Sequence, residues 1–166
     1  MIDTKAPYRF LTLESADAIA TLTLANPGKR NALSLDTMRE LLAALEAIGE
    51  DDGIHAIVLR GLGPALSAGH DLREVRAAGV DGDLPHLREI FDTCVRLMTA
   101  IQTVPQPVIA EIAGIATAAG CQLVATCDLA IASSEATFAT PGVKIGLFCT
   151  TPMVALTRAI GRKHAM

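Results

Sequence analysis

The stretch Ala56-Ile57-Val58-Leu59-Arg60-Gly61-Leu62-Gly63-Pro64-Ala65-Leu66-Ser67-Ala68-Gly69-His70-Asp71 sets a short apolar run against a tail of small residues. An apolar run bounded by turn residues is the mark of a strand buried on both faces, as in a parallel sheet. Residues 61–69 read as a glycine-rich loop, and Asp71 is placed to cap a helix behind it. The same order recurs downstream. Val108-Ile109-Ala110 begins another buried strand, residues 114–120 form a second small-residue loop, and residues 121–126 read as a short helix. Strand, small-residue loop and helix in repetition predict an α/β fold.

Towards the N-terminus, Phe10-Leu11-Thr12-Leu13-Glu14 and Ile19-Ala20-Thr21-Leu22-Thr23-Leu24 alternate across the polar Ser15-Ala16-Asp17, which predicts a hairpin. Asn26-Pro27-Gly28 breaks the second strand. Ser34 is a helix cap, and Leu35, Met38, Leu41, Leu42, Leu45 and Ile48 recur behind it at three- and four-residue spacing. Towards the C-terminus, residues 79–83 read as a loop. A third helix carries the stripe Leu87, Ile90, Phe91, Cys94, Leu97, Met98 and Ile101, and Pro105 and Pro107 end it. Residues 129–132 read as a strand and 137–142 as a turn. A helical pattern from Thr157 runs into Lys163-His164-Ala165-Met166 without a stop. With no break in composition, residues 1–166 read as one domain, cut short at its C-terminal end.

Composition narrows the partners. Of the 166 residues 51% are apolar and the net charge is only −4, which argues against disorder. With 18 acidic residues to 14 basic ones there is no broad basic face for nucleic acid, and 3% aromatics without Trp leave few stacking platforms. No run approaches the ~20 apolar residues of a membrane span. Residues 1–7 lack the apolar centre of a secretory signal, and Asp3 argues against a transit peptide. Cys94, Cys121, Cys127 and Cys149 show no C-x-x-C spacing and read as reduced, buried thiols with no metal site. The expectation is a cytoplasmic protein with no nucleic-acid or membrane partner.

Gly61-Leu62-Gly63-Pro64-Ala65-Leu66 departs from G-x-G-x-x-G at its sixth residue, and Pro64 opposes an early helical turn, so the dinucleotide signal is weak. Ala65-Leu66-Ser67-Ala68-Gly69 falls just short of a nucleophile elbow and keeps Ser67 as a rival nucleophile. The two small-residue loops are more informative. Small residues let a ligand approach the backbone, and a helix behind each loop presents free N–H groups. Two such donors converging on one carbonyl oxygen would form an oxyanion hole. Small residues that only let helix rest on strand are the competing reading, and the residues alone leave both open.

Residues 26–34 (Asn-Pro-Gly-Lys-Arg-Asn-Ala-Leu-Ser), residues 65–72 (Ala-Leu-Ser-Ala-Gly-His-Asp-Leu) and residues 116–128 resemble, in this order, the enoyl-CoA hydratase/isomerase (crotonase) family over essentially the whole chain. Residues 116–123 and 138–142 look most like one branch of it. The resemblance implies a crotonase-type spiral of β-β-α units with two stacked sheets, a coenzyme A thioester as substrate or ligand, no cofactor or metal besides, and homotrimers or hexamers. It implies the backbone N–H groups of His70 and Ala119 as the two oxyanion donors. It places Lys29, Arg30 and Ala32 at the CoA entrance and Ala68, Asp71 and Leu72 around adenine and pantetheine, with Gly120 and Pro141 also on the CoA-binding side. For Asp71, capping a helix is an equal role.

The family's hydratases use two glutamates to place water and shuttle its proton. Gln122 stands at the first position and Gly142 at the second. An amide can hold a water but cannot take its proton, and glycine offers no side chain. Among the carboxylates after Thr93, Glu111 is the candidate substitute base and Asp128 reads as structural. The expectation is an acyl-CoA-binding protein of fatty-acid metabolism that polarises a thioester carbonyl, a lyase with weak or altered activity. A non-catalytic acyl-CoA module and a thioester hydrolase using Ser67 are the alternatives. Glutamates restored at 122 and 142 should then raise hydration.

Overall fold

A computed structural model describes residues 8–165 of the chain. The leader reading of residues 1–7, and Met166 at the end of the last pattern, lie outside them. Strands β1 (Leu11–Ala16) and β2 (Ile19–Leu24) form the expected hairpin. Its turn is tighter than expected. Asp17 and Ala18 both take positive φ (51° and 61°), the geometry that fits a two-residue turn to strand twist, so the ladder extends to Ala16 opposite Ile19. After a 3-10 turn at Pro27–Lys29 comes α1 (Leu35–Gly49), where the Ser34 hydroxyl accepts from the Thr37 N–H at 3.2 Å.

From there the chain repeats one path. Strand β3 (Ala56–Gly61) leads to β4 (Ala65–Ser67) and then to α2 (Leu72–Asp81) and α3 (Leu84–Thr103). Strand β5 (Val108–Ile112) leads to β6 (Ile115–Thr117) and α4 (Ala119–Thr126). Strand β7 (Leu129–Ala132) leads to β8 (Thr137–Ala139) and α5 (Thr150–Ala159). The first strand of each turn joins the hairpin in a sheet of order β1-β2-β3-β5-β7, parallel from β2 onward. The second strands make a parallel sheet of order β4-β6-β8. This is the expected α/β spiral of β-β-α units with two sheets.

The main core lies between the larger sheet and helices α1 and α3, where Leu22, Leu41, Ile57, Leu59, Ile90 and Leu97 are fully enclosed. Each such side chain contributes roughly 1.5–3 kcal/mol of transfer free energy. A smaller cluster of Leu66, Ala110, Ile112, Ala116 and Val124 joins the two sheets and α4. Strands β7 and β8 are exposed, with Leu129, Ile131 and Phe138 open to solvent. Among the described residues no helix is long and apolar enough to cross a membrane.

Four expectations are corrected. The small-residue loops and the 137–142 turn contain β4, β6 and β8. These three-residue strands carry no local pattern, and they are strands because they pair with one another. The proposed 79–83 loop is helical as far as Asp81, and Gly82 at φ 68° closes α2 in the left-handed conformation. Phe91 leaves the α3 stripe and is exposed, while Thr93 is buried in it. At the C-terminal end, α5 starts earlier, at Thr150. Gly161 at φ 73° is the stop before α6 (Arg162–Ala165).

Helix α4 can lie on β4 only because Gly120 has no side chain. A Cβ there would stand 2.2 Å from the Ser67 carbonyl oxygen, so even one methyl group would collide with fixed backbone. Gly120→Ala should therefore lower stability by more than about 2 kcal/mol, in the range of overpacked cores. In α2 a Cβ at Gly79 would meet nothing within 4 Å. Gly79→Ala should raise stability by about 0.5–1 kcal/mol through helix propensity. Urea denaturation followed by circular dichroism measures both.

Candidate functional site

The segment that leaves β2 is held by Asn31, which is 1% exposed and sits at φ 52°. Asparagine tolerates that conformation and carries both an acceptor and two donors. Its Oδ1 accepts from the Asn26 N–H at 2.9 Å, and its Nδ2 donates to the carbonyls of Leu62 (3.0 Å) and Ala65 (2.7 Å). The turn after β2 is thereby fastened to the corner between β3 and β4. Backbone bonds extend the seam: Ala68 N–H to Arg30 O at 3.0 Å, Leu33 N–H to Gly69 O at 2.8 Å, and Asp71 N–H to Leu33 O at 3.3 Å.

The end of β4 then meets the start of α4. Gly69 has φ 89°, and a Cβ on it would stand 2.9 Å from the Ala118 Cβ and 3.0 Å from the Ala119 nitrogen. Thr117 Oγ1 donates to the Ala68 carbonyl at 3.2 Å. Ala118 is held at φ 51° and ψ −122°, a conformation that costs a non-glycine residue about 1–3 kcal/mol, and its N–H donates to Ala139 O at 2.9 Å. The two small-residue loops therefore converge. The Leu33–His70 bridge is made through Gly69 O and Asp71 N, leaving the His70 N–H free, and Ala119 opens a helix. Among the described residues neither N–H has an acceptor.

The side chains fall into three groups. Lys29 Nζ pairs with Asp71 Oδ2 at 2.9 Å, while Asp71 Oδ1 caps α2 by accepting from the Arg73 N–H at 3.0 Å. The Lys29 hydrogen bond, helped by that cap, holds the Asp71 carboxyl below its ordinary value against the opposing effect of burial. The expected cap is made, and the same carboxylate also holds Lys29. Arg30 and Leu72 are exposed and Ala32 and Ala68 half-buried beside this pair. The His70 imidazole stands edge-on to Phe91, with centroids 5.4 Å apart, and its Nδ1 is buried without a partner. Burial pushes its pKa down, and only the Leu33 backbone opposes the shift.

In the second group, Gln122 is 8% exposed and its Oε1 is buried without a partner. Gly142 is also buried, and a Cβ on it would stand 2.4 Å from Cys149 Sγ and 2.6 Å from the Leu147 carbonyl. The expectation that a glutamate could be restored at 142 is overturned, because thiol and backbone already fill the space. Pro141 opens the same turn, which reaches the converged loops only through β8 and the Ala118–Ala139 bond.

The third group holds the rivals. Ser67 is fully buried and its hydroxyl accepts from the Gly69 N–H at 3.1 Å, so it shapes the turn. Glu111 is exposed on the face of β5 opposite Ala110 and Ile112, which face the second sheet, so it points away from the converged loops. Asp128 accepts from the Val108 N–H at 2.8 Å and is structural, as read. Burial pushes the Cys94 thiol up to about 11, and burial with Asp128 pushes Cys127 up to about 12. The reading missed Asn31 as the anchor, Thr117 as the tie and Cys149 as the filler over Gly142. Asn31 alone carried a signal, an asparagine two residues after the Pro27–Lys29 turn ends.

Comparison with known proteins follows the same lines. The sequence profile described as Enoyl-CoA hydratase/isomerase matches residues 14–166. "Enoyl-CoA hydratase domain-containing protein 3, mitochondrial" of Danio rerio is 50% identical over 157 residues, covering 94% of this chain and 53% of the relative. Its Homo sapiens namesake is 46% identical over 151 residues, covering 90% and 48%. The crystal structure of the human protein superposes with a TM-score of 0.87 at 45% identity, covering 95% of this chain and 61% of that one. An enoyl-CoA hydratase structure from Mycobacterium smegmatis gives 0.89 at 46% identity, covering 95% and 60%. The chain spans about half the length of the curated relatives it matches. The domain-containing protein 3 relatives are the branch that residues 116–123 and 138–142 resemble.

The Lys29–Asp71 pair makes a pH prediction. A depressed folded-state carboxyl stabilises the fold above its unfolded value, and that stability is lost as pH falls through the folded one. Lys29 is half-exposed, so Lys29→Met should cost at most about 1 kcal/mol at pH 7. The gap between wild type and variant should close on the acid side of the ordinary aspartate range. Thermal midpoints measured from pH 7 down to pH 2.5 test this.

Proposed function

Because the chain belongs to the enoyl-CoA hydratase/isomerase family, we propose that it binds acyl-CoA thioesters and polarises their carbonyl between the N–H groups of His70 and Ala119. The observation that supports this reading is the close approach of Gly69 to Ala118 and Ala119, which sets the segment before His70 against the start of α4. Negative charge gathers on the thioester oxygen when a nucleophile adds at C3 or a proton leaves C2. Two preorganised backbone donors stabilise that oxygen, each typically worth 10²–10³ in rate. Amide N–H groups do not titrate, so this polarisation does not vary with pH. Lys29 and Arg30 lie beside the converged loops, where the phosphates of CoA would find cationic partners.

The family's two proton-shuttling carboxylates are what this reading lacks. Gln122 is neither acid nor base, Gly142 has no side chain and Glu111 faces away. Losing one general acid–base group typically costs 10²–10⁴-fold. The reading is therefore a thioester-binding site with slow or no hydration. The buried Ser67 favours a binding module over a hydrolase as the second reading. Exposed Leu129, Ile131 and Phe138 support association into homotrimers or hexamers as part of the same proposal.

Incubation with crotonyl-CoA, with every CoA species followed by mass spectrometry and binding by equilibrium dialysis, tests it. Wild type should retain crotonyl-CoA and return it unchanged or hydrate it only slowly. Gly69→Ala should lose binding, because the added Cβ forces the two loops apart. Absence of binding by folded wild type overturns the proposal. Rapid gain of one water overturns the slow-turnover part of it.

A further inference from the structure

We propose that the groove between α1 and α3 binds a hydroxylated organic phosphate, a sugar phosphate or a nucleotide, at a site separate from the converged loops. The groove holds about 620 Å³ and is lined by α3, with Arg39 as the contribution of α1. None of its residues belongs to segments 29–33, 67–71 or 117–119. Arg39 is engaged by Asp36 at 3.6 Å and by Glu89, and Glu89 also faces the His86 ring at 4.0 Å. Arg88 and Arg96 are exposed and make no ion pair or side-chain hydrogen bond among the described residues. They lie on one row of α3 with Asp92 between them, about 12 Å apart along the axis. Two long guanidinium side chains flanking such a gap suit a phosphate, which takes forked hydrogen bonds from arginine.

The floor of the groove is polar where a core position is expected to be apolar. The buried stripe of α3 runs through Ile90, Cys94, Leu97 and Ile101, and Thr93 is the one hydroxyl on it. Thr93 is 4% exposed and borders the groove, and its hydroxyl makes no hydrogen bond among the described residues. A helical threonine can bond to the carbonyl four residues back, as Thr103, Thr126 and Thr157 do here. Thr93 leaves that bond unmade. A buried polar group without a partner is costly, and a ligand oxygen between Arg88 and Arg96 supplies one.

Asp92 decides the rest of the ligand. A carboxylate opposes a bare anion but accepts hydrogen bonds from hydroxyl groups. A phosphate that carries a sugar therefore satisfies both signs of charge in the groove, and inorganic phosphate satisfies only one. Towards the N-terminal end of α3 the lining passes into Leu84, which is 71% exposed, and Pro85, an apolar wall on which a base can lie. The volume of the groove lies within the range of small-molecule sites. Cations, a buried hydroxyl, a carboxylate and an apolar wall follow one another along a single helix, so the site is as rigid as α3 itself.

Calorimetric titration of the whole chain with ribose 5-phosphate, adenosine monophosphate and inorganic phosphate tests this. Wild type should bind both organic phosphates, and inorganic phosphate about tenfold more weakly. Tighter binding of the nucleotide than of the sugar phosphate assigns the groove to a nucleotide, and equal affinities assign it to a sugar phosphate. Arg88→Gln and Arg96→Gln, both at exposed positions, should each weaken ribose 5-phosphate about tenfold, the weight of one charge-assisted hydrogen bond. Thr93→Val should weaken it about fivefold without lowering the thermal midpoint, because no internal bond is lost. Thr93→Ser keeps the hydroxyl and should bind as wild type does. Wild-type affinity in both arginine variants places the phosphate elsewhere and overturns the inference. So does inorganic phosphate that binds as tightly as the organic ones, or folded wild type that binds neither ribose 5-phosphate nor adenosine monophosphate.

Discussion

The close approach of Gly69 to Ala118 and Ala119 is the constraint on which the rest of the structure depends. A single methyl group at residue 69 would fall 3.0 Å from the Ala119 nitrogen and would drive the end of β4 away from the start of α4. Everything around this contact keeps it closed. The Ser67 hydroxyl holds the Gly69 N–H, Thr117 ties to Ala68, and Leu33 binds both sides of His70. Asn31 anchors the same seam from outside, and Ala118 bears backbone strain at its centre. Strain in a non-glycine residue persists only where the surrounding structure over-determines it.

This architecture separates two chemical tasks. In the proposed reading, polarising a carbonyl falls to main-chain N–H groups, whose position depends on the fold and barely on which side chains line the site. Moving a proton needs a titratable side chain at a defined place, and here those places hold an amide and a glycine covered by a thiol. The first task can therefore persist in a chain where the second is absent. The proposed binding of an acyl thioester follows from that separation.

Much of the framework was legible in the residues. The hairpin, α1 with its Ser34 cap, the apolar runs of β3 and β5, and the Asp71 cap all carry local patterns, and the structure follows them. The strands β4, β6 and β8 were not legible. Sequences such as Ala-Leu-Ser hold no periodicity, and their pairing partners lie tens of residues away. Gly142 marks the same boundary from the side of the site. Its lack of a side chain is plain in the sequence, but only folding brings Cys149 over it and removes the room for another one.

The sequence by itself determined the class of fold, the order of the motifs and the identity of the groups available for chemistry, because each of these is a property of neighbouring residues. The tertiary structure alone decided which groups meet. It turned Ser67 into a buried turn element, aimed Glu111 away, left Gln122 Oε1 without a partner and brought Gly69 against the start of α4. Those outcomes depend on backbone approaching backbone within about 3 Å across distant segments. No local pattern encodes such distances, since they arise only when every turn of the spiral is in place.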